Sequence, residues 1–182
     1  RSGEGEGEGE GEGEGEGEGE GTPVSACTFA DAALEQAVRD VLAKPTGVIT
    51  QTDAESVTSL LVANSGITNL EGIQCLVNLS LANFSYNDIT DLSPLAEMPA
   101  LNDLRFVNNG NLADLTPLVT NVDFGAGAQL NVTGIDFSQG ACDEVDALRT
   151  QGVTVEDDDA CTPVEGEGEG EGEGEGEGEG EG

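Results

Sequence analysis

An apolar residue recurs at every third position in three stretches of the chain: Ile67-x-x-Leu70-x-x-Ile73-x-x-Leu76-x-x-Leu79, Ile89-x-x-Leu92-x-x-Leu95-x-x-Met98-x-x-Leu101 and Leu112-x-x-Leu115-x-x-Leu118. The stretches follow one another at a period of about 22 residues, and a period of this size indicates a solenoid. A solenoid acts through an extended surface rather than a cleft, so the pattern favours a binding module.

Each stretch is preceded by a short alternation of apolar and outward-facing residues. The alternation predicts short strands with one face inward, stacked as a parallel sheet. The predicted repeats are 57–78, 79–100 and 101–123, the third with one extra residue near Gly110, and a degenerate fourth unit begins at Gly127. The inward pairs are Leu60/Val62, Ala82/Phe84, Leu104/Phe106 and Leu130/Val132.

The run Asn87-Asp88-Ile89-Thr90-Asp91-Leu92-Ser93-Pro94-Leu95 and the run Leu112-Ala113-Asp114-Leu115-Thr116-Pro117-Leu118 resemble the 22-residue, internalin-type form of the bacterial leucine-rich repeat. The resemblance implies an α/β solenoid: a short horseshoe of parallel strands with a helical N-terminal cap and a C-terminal cap. It also implies that Asn87 and Asn109 form a buried asparagine ladder, which Ser65 and Ile135 interrupt in the outer units.

The segment 22–56 is predicted to be the helical N-terminal cap. Its apolar residues recur at helical spacing and form one stripe, which consists of Leu34, Ala37, Val38, Val41 and Leu42. Asp31 or Thr28 is expected to cap this helix. The run from Thr50 to Asp53 resembles a capping box, which predicts a second short helix reaching about Val57.

The segment 124–164 is predicted to hold the degenerate repeat and the C-terminal cap. A short helix is expected over residues 143–149, followed by a final strand at 153–155. The acidic run from Glu156 to Asp159 is interpreted as a solvated loop. Calcium binding is the alternative, although the run lacks the glycine and terminal glutamate of an EF-hand loop.

Four cysteines allow three disulfide connectivities. Their placement near the two ends favours Cys27–Cys75, tying the cap helix to the first repeat, and Cys142–Cys161, closing the far cap. A zinc site is disfavoured because the chain lacks Cys-x-x-Cys spacing and histidine. Paired cysteines imply an oxidising compartment, in agreement with a secreted or surface protein.

Strict Gly-Glu alternation fills residues 3–21 and 165–182, with nine Glu in each tract. Such sequence has no apolar group to bury and repels itself, so residues 1–21 and 165–182 are predicted to be disordered linkers. Tracts on both sides suggest a monomeric module within a larger multi-domain chain. The alternative role for the tracts is a loose cation sponge.

The composition and the net charge of −33 argue against several classes of function. Nucleic acid is an unsuitable partner because phosphate binding needs a basic footprint. No apolar run is long enough to span a bilayer, so membrane insertion is not expected. With no histidine and one lysine, the chain offers no nucleophile–base set, and we expect neither enzyme activity nor a cofactor.

The outward positions of the predicted strands are where a ligand would bind. Tyr86 and Arg105 are of types enriched at binding hot spots. The candidate ligand-binding residues on the concave face are Leu61, Asn83, Tyr86, Arg105, Val107 and Asn131. The simpler reading treats them as ordinary surface residues.

Three hypotheses follow. The first is a non-catalytic leucine-rich-repeat interaction module of a secreted or surface bacterial protein, binding a protein or glycan through the concave sheet face. The second is a structural spacer with no ligand of its own. The third is a hydrolase or metal enzyme, which the missing catalytic groups disfavour.

Overall fold

The computed structural model describes residues 26–158 and Cys161. Both predicted Gly-Glu linkers, 1–21 and 165–182, lie outside these residues. In the part of the chain that the structure describes, no helix is long and apolar enough to cross a membrane.

The amino-terminal segment combines a two-stranded sheet with two helices. Strand β1 (Ala26–Cys27) pairs antiparallel with β2 (Ile49–Thr50). Helix α1 (Ala32–Val41) lies between them in sequence, and helix α2 (Gln51–Glu55) follows β2 at once. The capping box predicted for α2 is present, with Thr50 and Asp53 bonding each other's backbone amides.

Helix α1 begins at Asp31, whose carboxylate accepts hydrogen bonds from the amides of Ala33 and Leu34. Of the predicted apolar stripe, Leu34 and Val38 are buried. The inclusion of Val41 in the stripe is wrong: its side chain is 52% exposed, because the helix ends at this residue and the chain leaves the core.

Asp31 also joins α1 to the rest of the fold. Its second oxygen accepts from the amides of Thr68 and Asn69, at 2.9 and 3.3 Å. Nearby, Gly72 has φ +102°, and a Cβ there would lie 2.2 Å from the carbonyl oxygen of Thr28. Helix α1 is therefore fixed to the first unit of the sheet by a carboxylate and by close backbone contact.

Five three-residue strands form the main sheet. They are β3 (Ser59–Leu61), β4 (Leu81–Asn83), β5 (Asp103–Arg105), β6 (Gln129–Asn131) and β7 (Thr154–Glu156). Each strand pairs parallel with the next in sequence, as the alternation predicts. Successive strands are offset by 22, 22, 26 and 25 residues, as the pairing of Leu60, Ala82, Leu104, Leu130 and Val155 shows.

Short helical segments return the chain from one strand to the next. These are 3₁₀ helices at Ile73–Cys75 and Ser93–Leu95, then α3 (Thr116–Thr120) and α4 (Gln139–Thr150). Pro94 and Pro117 lie in the first turn of their helices, where the missing amide costs no hydrogen bond. One continuous apolar core runs between the strands and these helices, and in it the rings of Phe84 and Phe106 stack at 5.5 Å.

Two buried asparagines bond neighbouring units together. Asn87 Oδ1 accepts from the amides of Ser65 and Ile67, both at 3.0 Å, and its Nδ2 donates to the carbonyls of Val62 and Phe84. Asn109 repeats the arrangement one unit later. It accepts from the amide of Ile89 and donates to the carbonyls of Phe84 and Phe106.

The carboxyl-terminal segment contains α4 and β7. The reading of residues 156–159 as a solvated loop is wrong for its first two residues. Glu156 belongs to β7, and Asp157 is only 4% exposed. Asp157 is buried because it pairs with Arg149 at 2.9 Å and accepts from the amide of Cys161.

Each terminal segment contains one disulfide. Cys27 bonds Cys75 across 48 residues, and Cys142 bonds Cys161 across 19. These are the pairs that their placement in the sequence favours.

We predict that Asn87→Ala destabilises the protein by about 2–4 kcal/mol, because it removes the side-chain partner of the amides of Ser65 and Ile67 and of the carbonyl of Val62. The measurement is urea unfolding followed by circular dichroism. Asn102→Ala at an exposed position is the matched control, with a change below about 0.5 kcal/mol expected. Equal midpoints for the two variants would contradict the role assigned to Asn87.

The second prediction concerns acid stability. The hydrogen bond from Lys44, followed by those from Thr50, lowers the pKa of Asp53 from 3.8 to about 2. A lowered pKa in the folded state stabilises the fold above the unfolded value, and this stabilisation is lost as the pH falls toward 2. We therefore expect Asp53→Asn to reduce the difference in unfolding free energy between pH 5 and pH 2. Thr52→Ser, at an exposed position of α2, changes no titratable group and should leave that difference as in the wild type.

Candidate functional site

One face of the main sheet is turned away from the core. Strands β3 to β6 bury their central residue, β7 buries Val155 in part, and each strand directs its two flanking residues to this side. We call it the exposed sheet face, formed by Ser59, Leu61, Leu81, Asn83, Asp103, Arg105, Gln129, Asn131, Thr154 and Glu156.

The strand register places four of the predicted ligand-binding residues in a row. Leu61, Asn83, Arg105 and Asn131 occupy equivalent positions on adjacent strands. The row continues to Glu156 on β7.

Tyr86 and Val107, the other predicted residues, lie just beyond the strands. The amide of Tyr86 donates to the carbonyl of Val107 at 2.7 Å, so the pairing of β4 with β5 extends to them. Ser85 lies between these positions and the end of β4, and it is only 6% exposed. Its amide donates to Asn83 Oδ1 and its carbonyl accepts from the amide of Asn64.

The end of the face that includes β3 and β4 carries exposed apolar groups. Leu61 is 69% exposed and Tyr86 is 59% exposed. Leu81 and Val107, each partly exposed, add to this apolar surface. Apolar groups are typical of the centre of protein interfaces, and tyrosine is among the residue types enriched at hot spots.

Tyr86 adopts a left-handed backbone, with φ +59°. The equivalent positions of the other units have the same conformation and hold Asn64, Asn108 and Gly134, with φ +55°, +55° and +75°. Asn and Gly tolerate this region, whereas a bulky residue pays a steric cost there. The fold therefore gains nothing from a tyrosine at this position, which makes Tyr86 a candidate for function.

The other end of the face is charged. Arg105 forms a two-pronged ion pair with Asp103, at 3.0 and 3.1 Å. The hydrogen bond and charge of Asp103, and then the charge of Glu156, raise the pKa of Arg105. Asn131 Nδ2 donates to Glu156, which joins the two strands nearest this edge.

A shallow cleft of about 160 Å³ lies between these charged side chains. Its lining residues belong to β5, β6 and β7, and all but one of them are polar or charged. The lining residues are Asp103, Arg105, Gln129, Leu130, Asn131, Thr154 and Glu156.

Four residues of this charged end are absent from the predicted set: Asp103, Gln129, Thr154 and Glu156. The first three could have been found, because the alternation that exposes Arg105 exposes the residue on the other side of Leu104 equally. Glu156 was missed because its four-residue acidic run has the composition of a loop.

The side chains of the exposed sheet face offer hydrogen bonds and apolar contact. Within residues 26–158 and Cys161, no group of three acidic or sulfur ligands is placed to hold a metal ion. The basic residues of this region all lie in ion pairs: Arg39 with Glu35, Lys44 with Asp53, Arg105 with Asp103, and Arg149 with Asp146 and Asp157.

Parallel strands stacked in sequence order over helical returns define an α/β solenoid. Solved structures specify the class further. An internalin (inlF) from Listeria monocytogenes matches with a TM-score of 0.54 and 31% identity, over 61% of this chain and 32% of that one. Internalin C2 (inlC2) from the same organism matches with a TM-score of 0.55 and 29% identity, over 61% of this chain and 48% of that one.

The fold is therefore an internalin-like leucine-rich-repeat fold. The chain spans about a third and about half of the lengths of these two internalins. No protein-family model matches the chain.

We predict that Tyr86→Asn stabilises the fold by about 0.5–1 kcal/mol, because asparagine tolerates the left-handed backbone better than tyrosine. Thermal and urea unfolding measure the change. Tyr86→Phe, which keeps the ring, is the control and should leave stability unchanged. If Tyr86→Asn destabilises the protein, the tyrosine side chain contributes to the fold, and its backbone conformation no longer argues for a role in function.

Proposed function

We propose that this chain is a non-catalytic interaction module that binds a protein ligand through the exposed sheet face. The observation that carries the proposal is the coexistence, on one face, of exposed apolar side chains and a charged cleft. Protein interfaces combine these features, with apolar anchors at the centre and polar groups at the rim. The likeness to two internalins supports the same reading.

The proposed anchors are Tyr86 and Leu61. The surface between these anchors and the cleft is formed by the other candidate residues, which are Asn83, Arg105, Val107 and Asn131. Two carboxylates, Asp103 and Glu156, accompany the single guanidinium of Arg105. The cleft is thus acidic in balance, and the chain as a whole has a net charge of −33. A ligand segment with an apolar side chain next to a basic one would complement both ends of the face.

A glycan is the second candidate ligand. The cleft favours it, because carboxylate, amide and guanidinium groups on adjacent strands are suited to the hydroxyls of a sugar. The apolar end of the face favours the protein ligand, which is why we place it first.

The architecture that we propose for this function is a short horseshoe of leucine-rich repeats with the exposed sheet face on its concave side. Residues 22–56 act as the N-terminal cap and residues 124–164 as the degenerate repeat and C-terminal cap. Two disulfides support a secreted or cell-surface location. The proposed source is bacterial, by the likeness to internalins.

Photocrosslinking tests the proposed face. A photoreactive phenylalanine replaces Tyr86 in one variant and Thr120, on the exposed surface of α3, in a matched control. Each variant is irradiated with extracellular-domain and glycan preparations from candidate target cells. We expect discrete adducts from position 86 that disappear with Arg105→Ala or in excess unlabelled chain, and none from position 120.

Binding of an identified ligand then measures the anchors. We expect Tyr86→Ala and Leu61→Ala each to weaken binding by tenfold or more, which corresponds to about 1.4 kcal/mol. Thr120→Ala should bind as the wild type does. Undiminished binding by the double variant of Tyr86 and Leu61 would overturn the proposal, and if Asp103→Asn abolished binding in the same experiment, the glycan would be favoured.

A further inference from the structure

The two disulfides lie close to where the Gly-Glu tracts join the described fold. The first tract ends at Gly21, six residues before Cys27, and the second begins at Glu165, four residues after Cys161. Any tension on the chain through these tracts enters the fold at the two cysteines, because tension follows the covalent chain. From each cysteine, tension can pass along the backbone or across the disulfide.

The backbone route would act first on weak attachments. Strand β1 has two residues and pairs only with the two residues of β2. At the other end, Cys161 is held through its amide to Asp157 and its carbonyl to Arg149, at 3.1 and 3.2 Å. Hydrogen bonds at a chain end are loaded one after another, so they open at low cost and peel the terminal segments away.

Tension that crosses the disulfides does not load these attachments. The bond to Cys75 bypasses 48 residues of sequence and delivers tension to the end of the 3₁₀ helix Ile73–Cys75, next to the fully buried Leu76. The bond to Cys142 bypasses 19 residues and delivers tension to the first half of α4, where Ala141 and Val145 are buried.

We propose that the two disulfides form a mechanical bypass, which carries tension past both terminal segments and into the packed units between Cys75 and Cys142. The terminal segments then keep covering the ends of the core while the chain is under tension. The two edges of the exposed sheet face are thereby protected from tension, because Leu61 lies inside the first bypassed loop and Glu156 inside the second. This inference concerns tension rather than a ligand, and it stands independently of the proposed binding function.

Single-molecule stretching of the full chain, held by tags at its two ends, tests the bypass. Cys75 and Cys142 are 67 residues apart, whereas Cys27 and Cys161 are 134 apart. At about 3.5 Å per residue, we expect the oxidised chain to release about 230 Å on unfolding and the reduced chain about 470 Å, before the native separations are subtracted.

Two matched double variants separate the two bonds. Cys27→Ser with Cys75→Ser should add about 165 Å to the released length, and Cys142→Ser with Cys161→Ser about 65 Å. More decisively, each variant should show an early, separate rupture at lower force, because its terminal segment is now peeled before the core opens. The oxidised wild type should rupture in one step at higher force.

The force of the first rupture shows whether the disulfides protect the terminal segments. If both variants rupture in one step at the wild-type force, the bonds lengthen or shorten the released chain without protecting the terminal segments, and the proposal is overturned. Should a variant fail to fold, reductant is added to a wild-type molecule that has already refolded under low tension. An early low-force step must then appear in the same molecule, and its absence equally overturns the bypass.

Discussion

The asparagines buried beside β3, β4 and β5 bond one three-residue strand to the next, and this part of the fold depends on them. Asn87 bonds the amides of Ser65 and Ile67 in the preceding unit and a carbonyl in each of two units. Because an unsatisfied backbone group inside the core is costly, Asn87 and Asn109 stabilise the turns that follow β3 and β4 by completing their hydrogen bonds. These bonds hold β3, β4 and β5 side by side, and the outward row from Leu61 to Arg105 on the exposed sheet face depends on that arrangement.

The two ends of the solenoid meet the same requirement with carboxylates instead of amides. At the amino-terminal end, Asp31 accepts from α1 with one oxygen and from the amides of Thr68 and Asn69 with the other. Burial opposes ionisation of Asp31, but these amides outweigh it and lower its pKa. At the far end, Glu144 accepts from the amide of Leu115, and Asp157 accepts from the amide of Cys161. Acidic residues that composition alone assigns to the surface thus accept hydrogen bonds from backbone amides at both ends of the solenoid.

The sequence predicts those features that are periodic or local. The inward strand residues, Asn87 and Asn109 recur at fixed offsets, and the Thr50–Asp53 capping box needs only four residues to be recognised. The 26-residue offset between β5 and β6 is predicted by the Leu130/Val132 alternation alone, because the connection through Gly125 and Gly127 carries no apolar period. The burial of Asp157 cannot be predicted in this way, since the charge is compensated by Arg149 from the preceding helix, and that pairing exists only after the chain has turned back.

The candidate site divides in the same way. Leu61, Asn83, Arg105 and Asn131 could be placed in one row because a parallel register transmits the repeat from strand to strand. Tyr86 is informative for the opposite reason, since it occupies a left-handed position that the other units fill with Asn or Gly. A residue that departs from its repeat at a steric cost, and that remains largely exposed, is not explained by folding. The proposed binding surface is therefore supported most by Tyr86, which departs from the other units and lies beside the row of strand residues that follows the repeat.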